Sequence, residues 1–531
     1  MRGYERTSLP YVLSLKFFTN VSTDHMAKRI AIGFVLIFIV VASVVLVRTI
    51  RLSYDIPDVD TTQAADADTE GAVERLSEAL QFRTVSHQDP EDMEIDEFEG
   101  WISFVEDAYP AMHDALERER LNEYTLLYRW EGENPDLAPG MMMGHYDVVP
   151  VEPGTEDEWT YPAYSGAIED GFVWGRGALD DKSGLMSTLE AVDYLARSGF
   201  EPERTLYIAA NHDEEVGGHD GAAHVADTLK ARDIELAFLV DEGLPIAEEI
   251  IEGIESPLAM VGVAEKGQVT LELSVTREGG HASMPPYETS IGELARAIRS
   301  LKDNPMPGRF ADLVQSTFDP VSPELPFVYR AALANLWLAR PVIEHQLSRI
   351  PHTNAALRTT IAPTIFRAGM KTNVLPARAE ATINFRIHPN DTVESVVEHV
   401  EATIDNPEIK IEKMEGARNA SRISDTEAIP YLQYKRSIWE TFGEIPIAPS
   451  IFVAATDTRH FLDLTDNIYR FRPIRATPDD RGRIHGTDER VGIDNYEEMV
   501  QFQIRAVRNM TVDFDALDPI DAPQPLVERQ D

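Results

Sequence analysis

The chain has 531 residues, more than one hydrophobic core usually serves, and 43% of them are hydrophobic, so two packed lobes with accessory segments are expected. Its 91 acidic against 48 basic residues leave a formal charge of −43, which repels phosphate backbones and argues against a nucleic-acid partner. With no cysteine there is no disulfide framework, no thiolate nucleophile and no sulfur-ligated metal, so any metal must be held by His, Asp and Glu.

In chain order, residues 30–47, IAIGFVLIFIVVASVVLV, form a charge-free apolar run long enough to cross a bilayer. Lys28 and Arg29 precede it, Arg48 and Arg51 follow, and the chain then turns acidic at Asp55, Asp58 and Asp60. This arrangement predicts a cytosolic N-terminus over 1–29, a single membrane-spanning helix and an exported body. No small-x-small cleavage site follows the run, which favours an uncleaved signal anchor over a removed signal peptide. Met26 opens MAKRIAIGF, which reads as a natural start, so residues 1–25 read as an extension. The stretch 48–70, polar and acidic without apolar period over most of its length, reads as a linker between membrane and body.

Val73, Leu76 and Leu80 lie at helical spacing and predict a helix from about 72 to 82. Three apolar runs follow, GMMMG, TLYIAA from Thr205 and LAFLV from Leu236, separated by stretches of helical pattern such as 183–197. Continuous apolar strands alternating with helices predict an α/β domain with a mostly parallel sheet covered by helices. From Gln268 the texture changes: QVTLELSVT, IGELARAIRSL, RTTIAPTIF, AEATINFRI, TVESVVEHVEATI and IKIEKME read as β-α-β-β-α-β, the ferredoxin-like order. The organisation expected is a catalytic domain over 71–262 and 417–531, interrupted by a lid domain over 263–416 that carries a helical insert at 303–358. The apolar face of that insert reads as packing.

Parallel α/β sheets put their chemistry at the carboxyl ends of strands. The first apolar run ends in His145 and Asp147, the second in His212, Asp213, Glu214 and Glu215, and the third in Asp241 and Glu242, while Asp180 and Asp181 open a helix between the first two. Singly, each reads as a structural histidine, an N-cap or a surface charge. Brought together, the carboxylates would repel one another unless cations were present, and a His/carboxylate set without sulfur suits zinc, with cobalt or manganese as alternatives.

These residues lie in GHYDVVPV, GRGALDDK, DEEVGG, VDEG, GGHASMPP, KTNVLP, NFRIHP and IHGTDER, which resemble, in order, the motifs of the di-zinc aminoacylase and carboxypeptidase family. The insert sequence PFVYRAALANLWLARPVIEHQL with TNAALRTTIAPT resembles the branch of carboxypeptidase S and the N-fatty-acyl-amino acid synthase/hydrolase. The resemblance spans roughly residues 72–515 and leaves the first 50 residues out.

It implies two Zn2+ held by His145, Asp180, Glu215, His485 and one of Asp241 or Glu242, with Asp180 bridging and Asp147 orienting His145. Asp181 would be a helix cap, and Glu214 the general base that moves a proton from a bridging water to the leaving amine. Arg386 and Asn373 would grip a free carboxylate, and His281 would donate to the oxyanion, in several relatives across a dimer interface, so a homodimer through the lid is implied. One departure stands out: AATDTRH at 454–460 replaces a glycine-rich turn, and alanines there are less free to take positive φ.

The expected activity is hydrolysis of an amide next to a free α-carboxylate, in an N-acyl amino acid or a short peptide. The insert and the nearby membrane favour lipophilic acyl groups. The competing expectation is a non-catalytic peptide or acyl-amino acid receptor on the same fold. Against it, Glu214 and the whole ligand set are present.

Overall fold

The structure, a computed structural model, describes residues 19–54, 56, 59, 61, 65–249, 254, 256–310 and 312–517. Most of the proposed extension, residues 1–18, lies outside them.

The larger lobe is built on an eight-stranded sheet. From edge to edge its strands are Glu117–Leu121, Thr125–Trp130, Leu206–Asn211, Gly140–His145, Phe238–Ala247, Ile468–Ala476, Leu258–Glu265 and Ile447–Phe452. The middle pairings are parallel, Leu206–Asn211 on Gly140–His145, that strand on Phe238–Ala247, and the latter on Ile468–Ala476. Antiparallel pairs close one edge, Thr125–Trp130 against both Glu117–Leu121 and Leu206–Asn211.

The methionine run shows why such a strand needs no polar face. Met142 packs into one hydrophobic cluster with Trp101, Leu185, Leu189 and Phe502, while Met141 and Met143 point the other way into a second cluster with Val225, Leu229 and Phe461. Side chains alternate across a strand, so both faces of this one are covered, by helices Lys182–Arg197 and Ile493–Met510 on the first side and Ala222–Ala231 on the second.

Strand Leu258–Glu265 passes through the single residue Lys266 into Gly267–Thr276, the first strand of a separate four-stranded antiparallel sheet. Its order is Thr360–Ala368, Arg378–Ile387, Gly267–Thr276, Ile409–Lys413, so the last strand in sequence lies beside the first. Helices Ser290–Asp303 and Val393–Ile404 cover one face through Leu294, Leu301, Val396 and Val400, against Leu271, Ile383 and Phe385. This is the ferredoxin-like topology with its own core.

Between the first helix and second strand of this unit lies the insert, with helices Asp312–Phe318, Phe327–Leu333, Leu336–Leu347 and Pro351–Leu357. Leu333, Leu336, Ile343 and Leu347 pack inward against Phe310, Val314 and Leu357. Packing accounts for that face alone, because the other side of the same helices leaves large apolar side chains exposed, Val328 at 74% and Trp337 at 56% among them.

At the N-terminus, helix Thr19–Ile50 is longer at both ends than the apolar run. Within it, Lys28–Ile50 is the one segment among the described residues long and apolar enough to cross a membrane. The linker departs from the polar-tether expectation. Leu52 is buried, Ile56, Val59, Ala65 and Ala67 pack against the main core, and Ala65 exchanges backbone hydrogen bonds of 2.8 and 3.0 Å with the Gln501 side chain. A few apolar side chains without periodicity suffice to lay an irregular strap on a surface already built.

Candidate active site

Three strand ends and two loops converge at the carboxyl edge of the parallel strands. His145 closes strand Gly140–His145, and its Nε2 lies 3.2 Å from Asp180 Oδ1 and 3.5 Å from Glu242 Oε1. His485, from a loop 305 residues further on than Asp180, places its Nε2 3.1 Å from Asp180 Oδ2 and 3.2 Å from Glu215 Oε1. Asp180 therefore turns one oxygen to each imidazole, with a further carboxylate beside each. The ligand atoms of His145, Asp180 and Glu215 lie within 4.8 Å of one another, as do those of His145, Glu214 and Glu242.

Asp147 organises this end of the sheet. His145 Nδ1 sits 3.0 Å from the Asp147 carbonyl and 3.3 Å from its carboxylate, which leaves Nε2 free to face the cluster. The same carboxylate accepts hydrogen bonds from Ser86 Oγ at 2.6 Å and from the amides of Glu214 and Glu215, each at 3.1 Å. One buried carboxylate thus orients an imidazole and pins the short 3-10 turn Glu214–Val216.

Asp180 is set by a cage behind it. Glu489 Oε1 accepts from the amides of Gly177, Leu179 and Asp180 at 2.8 to 3.1 Å, and its other oxygen pairs with the buried Arg176. Arg176 in turn donates to the carbonyls of His485 and Gly486 at 3.2 and 3.1 Å, so one ion pair fixes the loops that carry both Asp180 and His485. The Asp180–Asp181 peptide bond is cis.

Asp181 stands at the N-cap position of helix Lys182–Arg197, but its side chain makes no capping hydrogen bond. Its carboxylate accepts from the His145 amide at 3.2 Å and pairs with Arg472, both side chains buried. The capping expectation is corrected for that reason: a guanidinium from strand Ile468–Ala476 competes for the carboxylate and takes it inward. Gly144 and Gly184 leave the room for this, since a Cβ on Gly144 would lie 2.6 Å from Asp181 Oδ2 and one on Gly184 would overlap the Arg472 guanidinium.

Neighbours in a strand face opposite ways, and this separates Asp241 from Glu242, both inside strand Phe238–Ala247. Glu242 meets His145, whereas Asp241 is buried on the far side, one oxygen without a hydrogen-bond partner, where burial and the neighbouring Asp181 push its pKa up to about 7. His212 and Asp213 also turn away, bonding Thr125 Oγ1 at 2.7 Å and the Asp220 amide at 2.7 Å.

The electrostatics ask for cations. Burial, then Asp457 and Glu242, push Glu214 well above the usual carboxylate range, and burial with Asp180 does the same to Glu242. Burial works against the His145 imidazolium, but hydrogen bonds to Asp147, Asp180 and Glu242 outweigh it and hold its pKa well above the ordinary value. Asp180 and Glu215 raise His485 to about 10. Protons on the imidazoles thus balance carboxylates that divalent cations would balance better, with oxygen and nitrogen donors only, the set that suits zinc. The residues fit such a group.

Glu214 stands beside the cluster, its Oε1 3.6 Å from Arg459, a residue the motif reading passed over. Arg459 also lines a cavity of about 170 Å³ with Glu265, Arg418 and Ser421 at the junction of the two sheets. Arg386 is half-buried nearby on the small sheet, where burial lowers its pKa and Glu265 opposes that shift. Asn373 and His281 are exposed together at a separate two-stranded ribbon, Gly280–His281 with Val374–Leu375, Ala282 donating to the Asn373 carbonyl at 3.1 Å and His281 Nδ1 accepting from Ser283 at 3.1 Å. Neither touches the carboxylate cluster within this chain. In AATDTRH, neither Ala454 nor Ala455 has positive φ, so the alanines meet no strain there.

Sequence reasoning missed Arg472, Arg459, Ser86 and Glu489. Glu489 had a signal, standing four residues after His485 in IHGTDER; the arginines had none, because their partners are set by sheet order.

A family model described as peptidase family M20/M25/M40 matches residues 141–509. The chain is 37% identical to an N-fatty-acyl-amino acid synthase/hydrolase of Xenopus tropicalis, over 91% of this chain and 95% of that protein. It is 39% identical to a probable carboxypeptidase S-like protein of Dictyostelium discoideum, over 82% and 84%. Among solved structures, a metallo-carboxypeptidase from Sulfolobus solfataricus aligns with TM-score 0.58 at 19% identity, covering 83% of this chain and 99% of that one. Human carnosine dipeptidase 1 aligns with TM-score 0.59 at 16% identity, covering 83% and 96%. These two share the fold.

Proposed function

The chain belongs to peptidase family M20/M25/M40, and on that premise we propose that it is a di-zinc hydrolase, anchored by its N-terminal helix with the body on the exported side. It cleaves an amide next to a free α-carboxylate, in N-acyl amino acids with long acyl chains. Peptides cleaved from the carboxyl end are the second substrate class, favoured by the likeness to carboxypeptidase S-like proteins.

The observation that supports this reading is the two-sided Asp180, one oxygen facing His145 and the other His485, with Glu242 and Glu215 completing two ligand sets. Bound there, two divalent cations would polarise the scissile carbonyl and lower the pKa of a shared water. Glu214 takes a proton from the attacking water and delivers it to the departing amine, a role for which its raised pKa fits it. Asp147 keeps Glu214 in place through the backbone and holds the tautomer of His145. Arg386 grips the substrate carboxylate in a small domain that serves as lid, and Asn373, beside His281 at the other end of strand Arg378–Ile387, would reach the carboxylate held at a second protomer's site. His281, exposed and turned from its own cluster, would reach the oxyanion of a second protomer's site.

The test is release of free amino acid by the full chain from an N-acyl amino acid, stopped by chelator and restored by zinc. Glu214→Gln is expected to keep two ions per chain and lose about 100-fold or more in kcat. Full turnover after ion removal, or in Glu214→Gln, refutes the reading.

A further inference from the structure

The helical insert carries an apolar surface that the active site does not use. Its inner residues pack, yet Phe327, Val328, Tyr329, Trp337, Leu338 and Val342 are all more than half exposed. Soluble surfaces seldom expose so contiguous an apolar set, and a set rich in Trp, Tyr and Phe is the kind that settles at a membrane interface.

The insert touches the N-terminal helix. Asn335 Nδ2 donates to the Val45 carbonyl at 3.4 Å, the Arg330 guanidinium donates to the Thr49 carbonyl at 3.3 Å, and Thr49 is fully buried by the contact. Val45 precedes the helix end at Ile50 by about 7.5 Å of rise. The segment Lys28–Ile50 is about 34 Å long against roughly 30 Å of hydrocarbon, so this contact runs from the headgroup boundary at Thr49 to about 5 Å into the acyl layer at Val45.

Charge points the same way. Between Phe327 and Ile350 the chain carries Arg330, Arg340 and Arg349 against the single acid Glu344, and Arg48 and Arg51 stand at the adjoining helix end, in a molecule whose net charge is −43. A basic, aromatic, apolar surface on an acidic body suits anionic headgroups over an apolar layer.

We propose that the outer face of helices Phe327–Leu333 and Leu336–Leu347 lies in the interfacial layer of the bilayer that the N-terminal helix spans. The inference rests on the membrane-anchoring reading and extends it: the body is seated on the lipid as well as tied to it. Long-chain acyl substrates, which partition into the same layer, then meet the insert before the site.

The molecule carries its own probe. Of six tryptophans, Trp101, Trp130, Trp159, Trp174 and Trp439 are buried and Trp337 is exposed. The full chain is reconstituted into vesicles of phosphatidylcholine and phosphatidylglycerol with bromine on the upper acyl carbons, and its emission is compared with that of Trp337→Phe. The emission assigned to Trp337 is expected to fall about twofold, as for a ring 5–10 Å below the headgroups. A second variant, Leu338→Glu with Val342→Glu, is expected to lose that quenching while staying in the vesicles.

If the protein survives an alkaline wash but Trp337 is not quenched by brominated lipid, the proposal falls and the anchor stands. Trp337 shielded from aqueous iodide yet untouched by brominated lipid means that a second copy covers the face, which also overturns it. If the protein washes off, the anchor reading fails and the proposal with it.

Discussion

Asp147 answers to four groups at once, the His145 ring, Ser86, and the amides of Glu214 and Glu215. Replacing it with asparagine keeps the volume but swaps an acceptor for a donor, so Asp147→Asn is expected to lower metal affinity about 10- to 100-fold, read by competition with a chromophoric chelator. The adjacent acids make a sharper pair. Glu242→Gln should lose one of the two proposed ions, whereas Asp241→Asn, on the opposite side of the strand, should keep both, as ion counting on purified protein will tell. From the one-dimensional pattern these two acids are indistinguishable, because strand alternation says that they diverge but not which faces inward. His145, Asp180, Glu214, Glu215 and His485 were legible, since each sits in a motif with fixed neighbours.

At the scale of elements, the apolar runs announced their strands because both faces are covered, and the amphipathic helices of the small sheet announced themselves by period. What stayed hidden is what tertiary contact decides. The strap from Leu52 to Ala67 has no period to find, and the Arg176–Glu489 pair joins residues 313 apart. Removing one partner of that buried pair leaves the other uncompensated, so Glu489→Ala is expected to cost about 3–5 kcal/mol in denaturant unfolding and to loosen Asp180. A different element sets a pH response. His388, 2% exposed after strand Arg378–Ile387, is lowered to about 4 by burial and by Lys266, against 6.5 for the free side chain. Below pH 6.5 the unfolded chain takes up a proton that the folded chain refuses until about 4, so this group's share of stability is constant above 6.5 and is lost between 6.5 and 4. His388→Asn should flatten the wild-type decline over that interval by up to about 3 kcal/mol.

For the whole molecule, the cluster of imidazoles and carboxylates ties together the middle of the main sheet, the helix after Asp180 and a loop near the C-terminus. Chelation should therefore lower the thermal midpoint of the whole larger lobe, with about 3 kcal/mol lost for an ion held at 100 times its dissociation constant. A calorimetric scan in which only a minor, early transition moves would contradict that coupling. The small sheet joins this lobe through Lys266 alone on the entering side, and there Glu265 faces Arg418 at 3.3 Å from the returning chain and Arg470 at 3.3 Å from the main sheet.

The buried Leu52 and the strap that follows it fix where the body ends. A protease that cuts past Val59 would strip Ile56 and Val59 of their covalent hold on the body and uncover the core surface on which they pack. A clean severance has to fall on the helix side of Ile56, and the freed body would carry its own seam with it.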